Sequence, residues 1–276
     1  MNHSATATDK QAAAESSARV ILAETTPVAS LVLNRAKEKN PLDWATLREL
    51  RAALTRIEAN PNIRIVTITG AGKTFSAGGD LKGYVDLYKK PEDFRKFLED
   101  FFHLLEQIET SKKIFVAVVQ GYCVAGGLEL LLACDLSIAA ASAKIGDGHV
   151  NFGQLPGAGG SQRLLRTIGP QQTRLLMLTG DLIPAAEAHR IGLVSVVAAD
   201  DQLEAKTNEL VAKLLAASQS GLRGAKHLIN KGQQLDFHES LRMELEYVHT
   251  YATTHPDATE GLIAFAEKRK PRFSGT

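Results

Sequence analysis

The chain has 276 residues, of which 44% are hydrophobic and 23% are charged, a composition that suits one large globular domain or one domain with a helical appendage. Its 32 basic and 31 acidic residues give a formal net charge of +1 without long single-sign blocks, which argues against a nucleic-acid partner. No apolar run approaches the roughly 20 residues that cross a bilayer, so we expect no membrane partner.

Two features of the sequence predict a cytoplasmic protein. Residues 1–17 are rich in Ala, Ser and Thr, lack the apolar stretch of a secretory signal and carry acidic residues that a transit peptide avoids, so we expect a disordered leader there. The two cysteines, Cys123 and Cys134, lie in apolar segments without metal-type spacing. This placement predicts buried, reduced thiols rather than a disulfide framework.

The first two thirds of the chain alternate predicted strands with loops and helices. Short β-branched runs predict a hairpin at 19–24 and 28–34. Asp43 is predicted to cap a helix whose apolar residues recur every three or four positions and which ends near Asn60. Further strands and helices are predicted at 63–69, 94–108, 114–119, 127–133 and 136–140. This alternation predicts an α/β fold of repeated βαβ units around a parallel sheet.

After about Pro170 the pattern changes to successive helices. They are predicted at 202–217, 221–231, 237–251 and 257–268. A short run at 193–198 is the one strand predicted in this part of the chain. We therefore divide the chain into the leader at 1–17, a core at 18–198 and a C-terminal helical region at 199–276.

Three motifs of nucleotide and zinc sites fail on their spacing. The glycine-rich loop after the third predicted strand has Thr67 where a P-loop needs its first glycine. A dinucleotide motif that starts at Gly157 would place its third glycine at Gln162. A zinc-protease helix starting at His238 would need a second histidine where Arg242 stands. We expect no metal site and no nucleotide cofactor.

Three other glycine-rich segments stand at or near the ends of predicted strands, where open α/β sheets bind ligands. They read GKTFSAGGDLK at 72–82, GYCVAGGLE at 121–129 and GQLPGAGGSQ at 153–162. Their order and pattern resemble the crotonase superfamily (the enoyl-CoA hydratase/isomerase family), with its G-x-x-F-S/A-A-G-x-D-L/I-K, G-x-x-x-G-G-G/x-x-E-L and P-G-x-G-G-T/S-Q-R segments. The likeness covers roughly residues 20–273. It implies a crotonase-type ββα spiral core with a C-terminal helical region.

The resemblance implies an enzyme that stabilises a thioester enolate with two backbone N–H groups, which here match Gly79 and Gly126. Gly127 is expected to open a helix whose N-terminus adds partial positive charge toward the same oxygen. Glu129 matches the family's first acid/base residue. The alternative is a solvated glutamate on a helix face, but the neighbouring leucines predict a buried helix, in which an unpaired charge is costly.

Coenzyme A is expected as part of the substrate, with no other cofactor. The resemblance assigns its binding to the two glycine-rich loops and to two lysines elsewhere, namely Ala77, Gly78, Asp80, Leu81, Lys82, Gly127, Lys37 and Lys268. Lone lysines are usually solvated surface charges, so Lys37 and Lys268 also have that plainer interpretation. The acyl-pocket wall is expected to involve aromatic residues that at this spacing more often belong to a helix core: Tyr84, Tyr88, Phe94, Phe97 and Phe101.

The most informative departure from the family pattern lies at residue 149. Many hydratases of this family have a second glutamate ahead of the P-G-x-G-G segment, and alignment on Pro156 places His149 there. Histidine can act as an acid or a base near neutral pH. In an extended segment Asp147 would point to the same side, where it either orients the imidazole or substitutes for the missing carboxylate. The alternative is that His149 only shapes the pocket and Glu129 is the sole acid/base.

The expected reaction is addition of water to a 2-enoyl-CoA, which gives a 3-hydroxyacyl-CoA. A double-bond isomerase, a lyase or a decarboxylase acting on another acyl-CoA stays open, because one fold serves several enolate reactions. A non-catalytic acyl-CoA-binding protein is a third interpretation, against which the retained Glu129 argues. The family also implies a homotrimer or homohexamer, with residues 199–276 as the oligomerisation region.

Overall fold

The computed structural model describes residues 18–275, so the leader predicted at 1–17 lies outside the described residues. The strands in this part of the chain are β1 (Val20–Thr25), β2 (Val28–Leu33), β3 (Ile65–Gly70), β4 (Ile114–Val119), β5 (Tyr122–Val124), β6 (Leu136–Ala140), β7 (Lys144–Gly146), β8 (Ile183–Pro184) and β9 (Val196–Ala198). The helices are α1 (Trp44–Ala59), α2 (Leu81–Leu87), α3 (Pro91–Thr110), α4 (Gly126–Ala133), α5 (Gly160–Thr179), α6 (Ala185–Arg190), α7 (Leu203–Ala216), α8 (Gln219–Gly232), α9 (Phe237–Thr254) and α10 (Pro256–Ala266).

The main sheet has the strand order β1-β2-β3-β4-β6-β9. Strands β1 and β2 form the predicted antiparallel hairpin, in which Val20 pairs with Leu33, and the remaining neighbours run parallel. The side chains of β4 are almost all buried, as expected for a parallel strand that is covered on both faces. Because parallel strands end at the same edge, the loops after β3 and β4 meet there.

A second sheet of β5, β7 and β8 was not predicted. Each of these strands has two or three residues, too few to show an alternating pattern. The expectation that the chain beyond about Pro170 has no strand except the run at 193–198 is wrong, because β8 lies there and pairs with β7. The predicted run itself shortens to β9.

Helix α1 forms as its sequence predicts. The Asp43 carboxylate accepts a hydrogen bond from the Thr46 N–H at 2.8 Å and so caps the helix. The apolar face is buried against the sheet, and its residues are Leu47, Leu50, Leu54 and Ile57. Helices α2, α5 and α6 were not predicted. In α5 the backbone kinks at Gly169, where φ is 74°, directly before Pro170.

Helices α7 to α10 follow β9 and form the C-terminal helical region. A buried lysine, Lys226 on α8, joins this region to the core. Its Nζ lies 2.9 Å from an Asp135 carboxylate oxygen and donates to the carbonyls of Ile108 and Lys113, both also at 2.9 Å. Pairing with Asp135 and both carbonyls satisfies a charge that would otherwise be costly to bury. The division of the chain at residue 198 stays a prediction.

Candidate active site

The loop after β3 lies against the start of α4 and brings the two predicted N–H donors together. Gly78 has a φ of 93°, and a Cβ added to it would lie 2.8 Å from the Ala125 Cβ and 3.2 Å from the Gly126 nitrogen. Only glycine permits this close approach. Within residues 18–275 no hydrogen-bond acceptor is found for the N–H of Gly79 or that of Gly126. Both donors are therefore available to an oxygen of a ligand.

Ala125, directly before α4, has an unfavourable backbone conformation. Its φ of 53° and ψ of −119° are rare for a residue with a side chain, and the family segment has glycine at this position. The helix begins at Gly126, one residue earlier than predicted. The sharp turn at Ala125 brings the Gly126 nitrogen, at the start of α4, close to Gly78.

Asn40 fixes the loop from the other side, a role that sequence reasoning missed. Its buried amide Nδ2 donates to the carbonyls of Ala71, Thr74 and Phe75 at 3.0, 2.7 and 3.2 Å. The backbone carbonyl of Asn40 accepts a hydrogen bond from the Ser76 hydroxyl at 2.8 Å. The one sequence signal is weak, since asparagine tolerates the left-handed conformation that Asn40 adopts at a φ of 53°.

Glu129 is buried in the first turn of α4, with 2% of its surface exposed. Its Oε1 accepts hydrogen bonds from the N–H groups of Ala158 and Gly160 at 2.8 and 2.9 Å. Burial raises the pKa of this carboxyl, and the two N–H bonds offset only part of that effect. The third glycine-rich segment thus holds one oxygen of Glu129, while Oε2 has no hydrogen-bond partner in the described part of the chain.

His149 and Asp147 form a pair beside α4. The His149 Nδ1 lies 3.0 Å from an Asp147 Oδ1 that is itself buried. The predicted contact is present, but the extended segment expected to produce it is not. Gly148 instead adopts the left-handed conformation, with φ of 66°, and this turn folds the histidine back over Asp147. The Ala125 N–H donates to the Gly146 carbonyl at 3.2 Å, which places this turn next to the start of α4.

The pair is electrostatically coupled to Glu129. The charge of His149 lowers the Glu129 pKa and that of Asp147 raises it, so all three groups lie within interaction range. An ionised carboxylate can only accept a hydrogen bond, so Asp147 requires the proton of a neutral His149 ring to be on Nδ1. The Nε2 lone pair is then free to accept a proton.

The residues assigned to coenzyme A lie along the loop that carries the donors. Ala77, Leu81 and Lys82 are exposed, and Asp80 caps α2 by accepting from the Lys82 N–H at 3.2 Å. Ala77 donates to the carbonyl of Lys39 at 3.0 Å, which joins this loop to the exposed turn at Ala36–Glu38. Lys37, within that turn, is therefore on the same side of the molecule.

Within the described residues, Lys268 makes no hydrogen bond or ion pair with this site. It is exposed just beyond α10, a helix that packs on α8 and α9. The chain then continues to Gly275, which lies beside the Arg64 side chain at the amino end of β3. The candidate site lies at the opposite, carboxyl end of that strand. A role for Lys268 in coenzyme A binding stays a prediction.

The five aromatic residues that were expected in either the acyl-pocket wall or the helix core differ in burial. Phe97 and Phe101 are buried in the core, and Phe101 also packs beneath Gly126. Tyr84 and Phe94 are partly buried against them. Tyr88 is exposed, and its hydroxyl bonds to the side chain of Gln154.

Residues 18–275 contain no group of three or more His, Cys, Asp and Glu side chains arranged to hold a metal ion. No helix among them has both the length and the apolar character to pass through a membrane.

Comparison with known proteins agrees with this geometry. The family model for Enoyl-CoA hydratase/isomerase matches residues 23–276. The crotonyl-CoA hydratase of Syntrophomonas wolfei is 36% identical over 256 residues, covering 92% of this chain and 97% of that protein. The probable enoyl-CoA hydratase echA8 of Mycobacterium tuberculosis is 37% identical over 247 residues, covering 90% and 94%.

Solved structures show the same fold. The enoyl-CoA hydratase from Bacillus anthracis superposes with a TM-score of 0.87 at 37% identity, covering 94% of this chain and 100% of that one. DspI of Pseudomonas aeruginosa superposes with a TM-score of 0.86 at 28% identity, covering 94% and 98%. The predicted crotonase-type fold is confirmed. From its loop geometry and its likeness along nearly the whole length, this chain belongs to the enoyl-CoA hydratase/isomerase family of the crotonase superfamily.

Proposed function

We propose that this protein adds water to a 2-enoyl-CoA and forms a 3-hydroxyacyl-CoA through an enolate of the thioester. The observation that carries the proposal is the position of Glu129. Its buried carboxyl has a raised pKa and one unbonded oxygen, and it lies in the same helical turn as the free N–H of Gly126. A proton donor and a hydrogen-bond donor to an oxyanion, placed within one helical turn, suit chemistry at the carbon next to a thioester carbonyl.

The two N–H groups stabilise the charge that develops during addition. When the water oxygen bonds to C3, the electron pair of the C2–C3 double bond moves onto the thioester oxygen. Gly79 and Gly126 donate to that oxygen, and the N-terminus of α4 adds partial positive charge. Collapse of the enolate then places a proton on C2, so the product has gained one hydrogen and one hydroxyl.

The three titratable groups divide the proton transfers. Asp147 holds the Nδ1 proton of His149, and the Nε2 lone pair of His149 takes a proton from the attacking water. Glu129 enters the step protonated, which its raised pKa favours, and gives that proton to C2. Transfer of the proton from His149 to Glu129 through solvent restores the starting state.

A second candidate reaction is favoured by His149 itself. Where the family pattern has a second carboxylate this chain has a histidine, so Glu129 alone could move a proton between carbons of the acyl chain. That reaction is double-bond isomerisation, and a lyase or decarboxylase would use the same enolate. A purely acyl-CoA-binding role is the least supported, because it gives no reason to bury Glu129 with its pKa raised.

Substrate binding is proposed to follow the exposed loop around the oxyanion donors. Lys37 and Lys82 supply positive charge for the phosphates of coenzyme A, and the backbone from Ala77 to Leu81, with Gly127, supports the pantetheine chain.

We also propose self-association through the C-terminal helices, as a homotrimer or homohexamer. None of the 18 residues of α9 is fully buried in one chain. Phe237 and Leu245 on this helix are 73% and 65% exposed, and Leu262 and Phe265 on α10 are also exposed. An exposed apolar surface of this kind marks an interaction site. For the location we propose the cytoplasm, supported by the buried free thiol of Cys123.

The proposed reaction is tested by following the loss of enoyl-thioester absorbance with a panel of 2-enoyl-CoAs. We expect Glu129→Gln to lower kcat by about two to four orders of magnitude, as loss of a positioned acid does. The matched control is Glu209→Gln, which changes an exposed glutamate paired with Lys206 on α7. His149→Ala then shows whether the histidine shares the proton transfers. Binding of every thioester without consumption would rule out hydration.

A further inference from the structure

The hydroxyl of Tyr84 lies in the candidate site without an assigned role. Tyr84 lies in α2, one turn after Asp80, and its N–H donates to the Asp80 carbonyl at 2.9 Å. A Cβ added to Gly79 would lie only 2.1 Å from the Tyr84 hydroxyl oxygen. The phenol therefore lies directly over the residue that supplies one oxyanion donor.

The ring is held in place by its neighbours. It stacks on Tyr88 with the ring centroids 5.6 Å apart and meets Phe97 edge-on at the same distance. Such aromatic contacts fix the direction of the hydroxyl before a ligand arrives. The arrangement is preorganised, so a contact made by this hydroxyl costs little conformational entropy.

The Tyr84 hydroxyl has no hydrogen-bond partner within residues 18–275. Burial of the phenol raises its pKa, and the charges of Glu129 and Asp80 act in the same direction, so the group is neutral and able to donate. The hydroxyl is not among the fully buried atoms without a partner, so solvent reaches it. A ligand that covers it without supplying an acceptor leaves a costly unpaired donor, and a ligand that supplies one avoids that cost. Tyr88 contrasts with it, because its hydroxyl is already bonded to Gln154.

The geometry limits which part of a substrate this hydroxyl reaches. From the 2.1 Å separation and ordinary bond lengths, the oxygen lies within roughly 5 Å of the Gly79 nitrogen. The thioester oxygen binds to that nitrogen in the proposed reaction. The hydroxyl therefore faces the first carbons of the acyl chain and not its far end.

We infer that Tyr84 selects 2-enoyl-CoA substrates whose acyl group carries a neutral oxygen acceptor, such as a hydroxyl or carbonyl, close to the thioester. This inference rests on the proposed function and names its substrate class. A neutral acceptor fits better than a carboxylate, because the carboxylates of Asp80 and Asp147 already lie near the site. A plain alkyl chain leaves the hydroxyl unpaired, and a site built around a hydrogen bond discriminates against such a substrate.

The test compares two thioesters of equal chain length, 4-hydroxybut-2-enoyl-CoA and but-2-enoyl-CoA. For each we measure kcat/KM in the wild type and in Tyr84→Phe. The control is Tyr247→Phe, which removes a hydroxyl on α9. We expect the ratio of kcat/KM for the hydroxylated thioester to kcat/KM for the plain one to fall about tenfold in Tyr84→Phe. The hydroxylated thioester loses its hydrogen bond to the Tyr84 hydroxyl. The plain thioester no longer covers a hydroxyl that it cannot pair. The control should keep the wild-type preference.

Two results would overturn the inference. An equal loss of kcat/KM for both thioesters would mean that the hydroxyl contacts the thioester oxygen instead, and no change for either would mean that it contacts no substrate. Calorimetric Kd values for both thioesters, measured in Glu129→Gln with and without Tyr84→Phe, test the contact without turnover. If the wild type consumes neither thioester, the proposed reaction fails, while the Kd ratio still decides whether Tyr84 selects the oxygenated chain.

Discussion

At the scale of single residues, the burial that suits Glu129 to its proposed catalytic role also has a cost in stability. Its carboxyl is buried and has a pKa above its ordinary value of 4.5, so the folded protein holds this proton more tightly than the unfolded chain. As the pH rises from that ordinary value through the raised one, the folded state loses stability, because the charged form is the costly one. Below the ordinary value the residue is protonated in both states and the cost is absent.

Glu129→Gln should therefore stabilise the protein at neutral pH while it removes activity. The gain in the free energy of unfolding should grow as the pH rises above the ordinary carboxyl range and then level off above the raised pKa. Urea unfolding of both proteins from acidic to neutral pH measures this difference. Glu209→Gln, at an exposed ion pair, should show no such growth. A gain that is constant with pH would contradict the account of Glu129 as a buried, proton-holding group.

In the proposed mechanism Asp147 acts through His149, so its replacement should affect kcat and not KM. In Asp147→Asn the amide can donate to Nδ1 and reverse the histidine tautomer, which should lower kcat by about 100-fold or more. The pH profile of kcat should change with it, because the base is altered. Asp200→Asn, at a carboxylate that accepts from the Ser142 N–H at 3.0 Å, serves as the control. An unchanged pH profile would leave His149 with only a pocket-shaping role.

At the scale of elements, the site depends on the contact between the loop after β3 and the start of α4. Gly78→Ala would place a methyl group against Ala125 and the Gly126 nitrogen, and should push the two proposed oxyanion donors apart. Loss of one such donor lowers the rate by about two to three orders of magnitude. Kinetic measurement of kcat for the variant checks this expectation.

The control for Gly78→Ala is Gly192→Ala. Gly192 also has a positive φ, 83° against 93° for Gly78, but a Cβ there would meet no atom within 4 Å. Both variants therefore carry similar backbone strain, and only one has the clash. Equal losses of activity in the two would mean that strain, not displacement of the donors, is responsible.

Elements with a long pattern could be predicted from the sequence, and short ones could not. The strand β4 and the helix α1 have enough residues to show their periodicity, and the cap at Asp43 marks where α1 begins. The strands β5, β7 and β8 are too short for such a signal and form because neighbouring segments supply their partners. The positions of Gly79, Gly126 and Glu129 came from the family motifs and not from periodicity.

Several contacts of the site could not be predicted from the sequence, because they depend on how distant segments pack together. The hydrogen bonds of Asn40 and the Glu129 contacts to Ala158 and Gly160 join residues far apart in the chain. The turn at Gly148 also depends on packing, since Gly148 lies against the Val124 side chain. Residue types alone indicated that Asp147 and His149 are close, and the structure supplied the conformation that brings them together.

At the scale of the whole molecule, the exposed apolar residues of α9 predict that one chain does not exist alone. Phe237, Leu241, Leu245 and Val248 recur at helical spacing and are all exposed. Leu245→Glu should shift the protein to monomers, because burying a charge in an apolar contact is costly. Thr250→Glu, on the opposite side of this helix, should leave the assembly intact. Sedimentation velocity measures both, and a wild type that is monomeric at all concentrations would contradict the proposal.

Addition of water across the double bond can be followed by the mass of the product formed in H₂¹⁸O. We expect a product heavier than the 2-enoyl-CoA by one labelled water, with the heavy oxygen in the new hydroxyl at C3, and far less of it from Glu129→Gln. A product of the same mass as the substrate, carrying no label, would contradict hydration and indicate that the enolate held by Gly79 and Gly126 serves double-bond isomerisation.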